Sequence, residues 1–141
     1  MSRNKGISET AFLSQVADLL NLFQWRWCHI RPAYSERGWR TPIQGHDPNG
    51  FKGKGLPDII AVRPPRLLFA ELKDEHSKPT PEQEAWLEDL QACMRIITSE
   101  PLMVRNGKAE LNLTKGIKLL NLPEIYLWRP SMIDKIAEVL K

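Results

Sequence analysis

The sequence predicts an α/β fold, a mixed central sheet flanked by helices, and three features carry that expectation. Two runs rich in apolar and β-branched residues, Leu56 to Val62 and Leu67 to Leu72, flank Arg63-Pro64-Pro65-Arg66 and read as the strands of a hairpin. Phe12, Leu13, Val16, Leu19, Leu20 and Phe23 recur at helical spacing behind Ser8, a good helix cap, so an amphipathic helix is expected from Ser8 to about Gln24. Thr80-Pro81-Glu82-Gln83 opens a second helix, with Thr as cap, Pro at the first helical position and Gln three residues after the cap. At 141 residues and 42% hydrophobic, the chain suits a single domain, 1–141, with its own core.

Composition narrows the function classes. A net charge of +3 permits a nucleic-acid partner without demanding one. The distribution says more: from Arg26 to Lys54 stand Arg26, Arg31, Arg37, Arg40, Lys52 and Lys54 against only Glu36 and Asp47. Cys28 and Cys93 lack CxxC spacing and read as buried free thiols, not as a zinc site or a disulfide. No apolar run approaches a membrane span and the N-terminus has no signal-peptide core, so a cytoplasmic protein without a membrane partner is expected.

The first helix carries Glu9 three residues before Phe12, four before Leu13 and seven before Val16, which sets this acid on the apolar stripe. A first-turn acid favoured by the helix dipole is the plain account of it. Trp25 to Ile30 alternates large apolar with polar residues, as a strand does, and carries His29 toward its end. From Arg31 to Lys54 the residues are those of turns and loops, with Tyr34, Trp39 and Phe51 among the cations. Cations neutralise phosphates and aromatic faces stack on unpaired bases, so Arg31, Arg37, Arg40, Lys52 and Lys54, with His29, are the candidate nucleic-acid contacts, and branched or single-stranded DNA the candidate partner.

In the Pro64-Pro65 hairpin, an antiparallel register pairs positions that sum to 129, so Asp58 falls opposite Glu71. Alternation puts Glu71 and Lys73 on one face and Leu72 on the other. Like charges directly opposite destabilise a sheet, which points to a bound cation, and Mg²⁺ prefers such oxygen ligands. If the three groups instead point apart, or are closed off from solvent by their neighbours, the site reading loses its basis.

The second helix is expected to run to about Cys93, with Gln83, Trp86, Leu87 and Leu90 inward. Arg95 to Thr98 then reads as a strand and Leu102 to Leu113, two runs around Asn106-Gly107, as a further hairpin. Ile125 to Trp128 reads as a short buried strand, and Ser131 as the cap of a last helix, Met132 to Leu140.

Gly55 with Pro57-Asp58, then Glu71-Leu72-Lys73, Thr80-Pro81-Glu82-Gln83 and Tyr126-Leu127-Trp128-Arg129-Pro130 together resemble a stand-alone VRR-NUC domain of the PD-(D/E)XK nuclease superfamily, of the kind found in phages and bacteria. The resemblance implies a restriction-endonuclease-like core, with 99–123 as an insertion. It implies a Mg²⁺-dependent DNA endonuclease, with Mn²⁺ able to substitute, selective for branched DNA such as a Holliday junction and acting as a homodimer. Asp58, Glu71 and Lys73 would be catalytic, with Gln83 orienting Lys73 or a water as an alternative to its capping role. Glu9, Asp58, Glu71 and the Leu72 carbonyl would hold the metal. A non-catalytic DNA-binding accessory of the same fold and a restriction-type or nicking endonuclease are the competing expectations.

Overall fold

The computed structural model describes residues 6–31, 33–40, 43–51, 54–99 and 123–141. Among them a mixed four-stranded sheet in the order β1-β4-β5-β6 carries the fold, with a separate two-stranded sheet of β2 and β3. The elements follow as α1 (Glu9–Leu22), β1 (Arg26–His29), β2 (Ala33–Ser35), β3 (Gly38–Arg40), β4 (Ile59–Arg63), β5 (Arg66–Leu72), α2 (Pro81–Ser99) and β6 (Glu124–Trp128). A single 3₁₀ turn, Pro130–Met132, then leads into α3 (Ile133–Leu140).

Strands β1, β4 and β5 pair antiparallel, and β5 pairs with β6 in parallel. The β4–β5 register runs from Ile59 opposite Ala70 to Arg63 opposite Arg66, so every pair sums to 129 as the turn at Pro64-Pro65 requires. Ile59, Ala61, Leu68, Ala70, Leu72 and Trp128 form the buried face of this sheet, covered by Phe12, Val16 and Leu20 of α1 and by Ile136 and Leu140 of α3. Full burial of one such aliphatic side chain stabilises by about 1.5–3 kcal/mol, which is why α1 and α3 share this face. Trp25, buried between β1 and the chain's end, donates its indole N–H to the Leu140 carbonyl at 2.9 Å while Arg63 and Arg66 lie over its ring. Arg66 also forks onto Glu124 through bonds of 2.8 and 2.7 Å, fixing the start of β6 beside β5.

Several expectations are corrected. Residues 95–98 continue α2 instead of forming a strand. Their β-branched preference is weak beside an unbroken helical ladder, and no helix breaker intervenes before Pro101. Part of the 31–54 stretch is β2 and β3, because Tyr34 pairs with Trp39 across a two-residue turn followed by Gly38 at φ +94°. Cys28 and Cys93 are exposed. Cys28 shares the face of β1 opposite to α1, and the burial of the α2 stripe stops short of Cys93. Strand β6 is mostly half-buried. Ser131 does not cap α3; its N–H and hydroxyl both donate to Glu75. The hairpin expected at 102–113, inside the insertion 99–123, lies outside the described residues.

No helix among the described residues is long and apolar enough to cross a membrane.

Candidate active site

Asp58 sits just before β4, between the ends of β1 and β5. Its backbone carbonyl accepts from Ile30 N at 3.3 Å, and its Oδ2 accepts from Leu72 N at 2.8 Å. The first pair of the β4–β5 ladder is Ile59 with Ala70, so one step further brings Asp58 and Glu71 to opposite positions. Lys73 follows on the Glu71 side, its own N–H donating to Trp128 O at 3.0 Å. The loop after Lys73 is held by Asp74, which accepts from the backbone N–H groups of His76 and Ser77, and by Arg129, which donates to the Asp74 and Ser77 carbonyls. Arg129 is thus a structural clamp.

Glu71 is 1% exposed, the one charged residue buried so deeply among the described residues. Lys73 Nζ stands 3.2 Å from its Oε1 as its ion-pair partner. Burial first, and then the charge of Asp58, push the Glu71 carboxyl up to about 7 against the opposing pull of Lys73.

A cavity of about 110 Å³ opens beside this cluster, lined by Glu9, Thr10, Leu13, His29, Asp58 and Leu72. Four sequence-predicted residues thus meet from α1, β1, the approach to β4 and the end of β5. His29 Nε2 is 3.9 Å from Asp58 Oδ1, and its Nδ1 is buried without a partner. Glu9 is exposed although it lines the cavity. Its stripe neighbours Phe12 and Val16 are wholly buried, so helical spacing located its side of the helix but not its depth. Glu71 does not line the cavity and is ion-paired and closed to solvent, so for this carboxyl the condition that counts against the site is met, whereas Asp58 does line the cavity. Thr10 was missed; it sits three residues before Leu13 and beside Glu9, a spacing that marks the same side of α1.

Gln83 builds a capping box: its Oε1 accepts from Thr80 N at 2.9 Å, and Thr80 Oγ1 accepts from Gln83 N at 3.3 Å. Among the described residues its side chain makes no bond to Lys73. Gly55 explains the Gly-x-Pro preceding Asp58. It has φ +91°, and a Cβ there would lie 2.4 Å from the Glu82 carbonyl carbon and 2.7 Å from Gln83 N. Only glycine lets this segment touch the first turn of α2, where Trp86 Nε1 also donates to Lys54 O at 2.9 Å.

Of the predicted nucleic-acid contacts, Arg31, Arg37, Arg40 and Lys54 are exposed, and none forms an ion pair among the described residues. Lys52 lies outside the described residues. By contrast Arg63, Arg66 and Arg129 are engaged in the structure, Arg63 through bonds to the Phe23 and Lys141 carbonyls.

The carboxylates that line the cavity are Asp58 and Glu9, beside Leu72, while Glu71 is buried outside it. Among the described residues no three His, Cys, Asp or Glu side chains group closely enough to hold a metal by themselves, so Glu9 shares the cavity without completing a carboxylate cage. Mg²⁺ fits such a set, since it takes one or two carboxylates and keeps waters and substrate oxygens for the rest. No family model, curated protein or solved structure matches the chain.

Proposed function

We propose that this protein is a Mg²⁺-dependent DNA endonuclease whose site is the edge formed by Asp58, Glu71 and Lys73. The carrying observation is that Glu9, His29, Asp58 and Leu72 meet at one cavity from four different elements, with Asp58 one step beyond the Ile59–Ala70 pair and so opposite Glu71. The sequence resemblance to VRR-NUC domains supports the same reading. Asp58 and Glu71, with the Leu72 carbonyl, would hold the cation, and Glu9 would reach it through water from the exposed side of the cavity. Bound Mg²⁺ supplies an activated water and neutralises charge on the phosphoryl oxygens.

The chain's own groups divide the remaining work. Asp58 is oriented by the Leu72 N–H, which leaves its Oδ1 toward His29. Lys73, anchored through its backbone to β6, brings a positive charge to the place where a phosphoryl oxygen would gain negative charge. His29 faces the phosphate from the end of β1. Gln83 fixes the start of α2, and through Gly55 the approach to Asp58.

One observation favours a second reading. Glu71 is shut from the cavity and ion-paired, as in a structural cluster closing a hairpin end, which suits a non-catalytic DNA-binding protein. Asp58, by contrast, lines a cavity with Glu9 and His29, which a cluster that only closes a hairpin end does not require. Incubating four-way junction, flap, nicked, single-stranded and plain duplex DNA with the protein and Mg²⁺ or Mn²⁺ decides between them. We expect metal-dependent cleavage, strongest on a branched substrate, that is lost in Asp58→Ala while binding in EDTA persists; binding of DNA with no cleavage of any substrate would establish the accessory reading. Light scattering of the complex with a four-way junction should give two copies per junction, as a twofold substrate implies.

A further inference from the structure

We infer that the β2–β3 hairpin is a stacking platform for unpaired bases, and that the DNA cut here carries a single-stranded stretch beside the scissile bond. The second half of this statement rests on the nuclease reading above. Tyr34 and Trp39 face each other across the hairpin with ring centroids 5.4 Å apart and planes at 68°, and each is 73% exposed. Strands of three residues are too short to be stable alone, so aromatic residues in them would ordinarily be buried against a core. Here both rings remain in solvent, and among the described residues the hairpin belongs to no larger sheet.

The charges around the rings select the partner. Arg31, Arg37 and Arg40 are exposed and outside any ion pair among the described residues, and the turn's Glu36 is the one acid between 31 and 40. Exposed guanidinium groups on the same short hairpin as open aromatic rings match the phosphates and open base faces of a nucleic acid. A duplex hides its base faces in the stack and offers only edges and backbone. A single strand offers both groups at once.

Chain length ties the platform to the site. His29 lines the cavity and Tyr34 follows five residues later, so their Cα atoms lie within about 18 Å. At about 3.4 Å per stacked nucleotide, that spans roughly five nucleotides.

The test separates the two halves. In EDTA, the affinity of wild type and Trp39→Ala is measured for an oligothymidylate of about 12 nucleotides and for blunt duplex of equal length. Trp39→Ala should weaken oligothymidylate binding about 5- to 150-fold and leave duplex binding unchanged, whereas Trp39→Phe should keep most of the affinity. Unchanged oligothymidylate binding, or equal losses on both probes, would overturn the platform. In Mg²⁺, cuts in a duplex bearing a single-stranded tail should cluster within about five nucleotides of the junction between them. Cuts spread evenly along the duplex would overturn the placement, while no cuts at all with single-strand binding intact would sink the nuclease reading and leave the platform standing.

Discussion

Glu71 is where the physical cost of this arrangement concentrates. Its carboxyl has an ordinary value near 4.5 in the unfolded chain and is pushed up to about 7 in the fold, first by burial and then by Asp58. The folded state therefore holds a proton that the unfolded state has lost, and stability falls as pH rises from 4.5 through 7. By linkage the loss is on the order of 3 kcal/mol, since one unit corresponds to about 1.4 kcal/mol. Glu71→Gln removes the titration. Denaturant unfolding in EDTA should find the variant close to wild type at pH 5 and more stable by about 3 kcal/mol at pH 8, with added Mg²⁺ narrowing the gap by stabilising ionised Glu71. A gap independent of pH would show that Glu71 is not held out of its ordinary range.

At the scale of elements, the hairpin that brings Asp58 to Glu71 was legible because a two-residue turn at Pro64-Pro65 leaves one antiparallel register, and Ile59 opposite Ala70 follows from it. The cap at Ser8, accepting from Ala11 N at 3.2 Å, and the capping box at Thr80 were legible for the same reason: each is a local pattern. Depth was not. Glu9 and Cys28 were given the wrong exposure because periodicity names a side of an element without saying what covers it. The β2–β3 pairing was hidden among turn residues, and residues 95–98 kept a helical ladder against their strand preference. Gly55 shows the reverse case, a motif glycine whose reason became visible only when the Glu82 backbone was seen to fill the space its Cβ would need. Gly55→Ala should lower stability by at least about 2 kcal/mol, because positive φ and backbone overlap both oppose a Cβ. That corresponds to a fall in melting temperature of roughly 5–10 °C, measurable by differential scanning calorimetry. An unchanged melting temperature would mean the loop can leave α2 freely.

Over the whole molecule, the positive charges fall into two groups. Arg63, Arg66 and Arg129 lock Trp25, Glu124 and the loop after Lys73, and so hold the sheet edge in shape. Arg31, Arg37 and Arg40 stand in solvent on the far side of His29 in sequence, and they give a chain of only +3 a local concentration of exposed positive charge. Replacing Arg37 and Arg40 with Ala should reduce the slope of log affinity against log salt by about 1.4–1.8, the share of two phosphate contacts, on every DNA tested. An unaltered slope would remove this face from the interface. Packing and hydrogen bonds hold Asp58 and Glu71, and in the proposed function the solvated charges would gather the substrate. The central claim is that these three groups hydrolyse DNA. Its most direct measurement is single-turnover cleavage of an end-labelled branched DNA by wild type and Glu71→Gln in saturating Mg²⁺. Wild type should cut, and the variant, folded and still binding DNA, should be slower by at least about 100-fold; equal rates in the two proteins would contradict the claim.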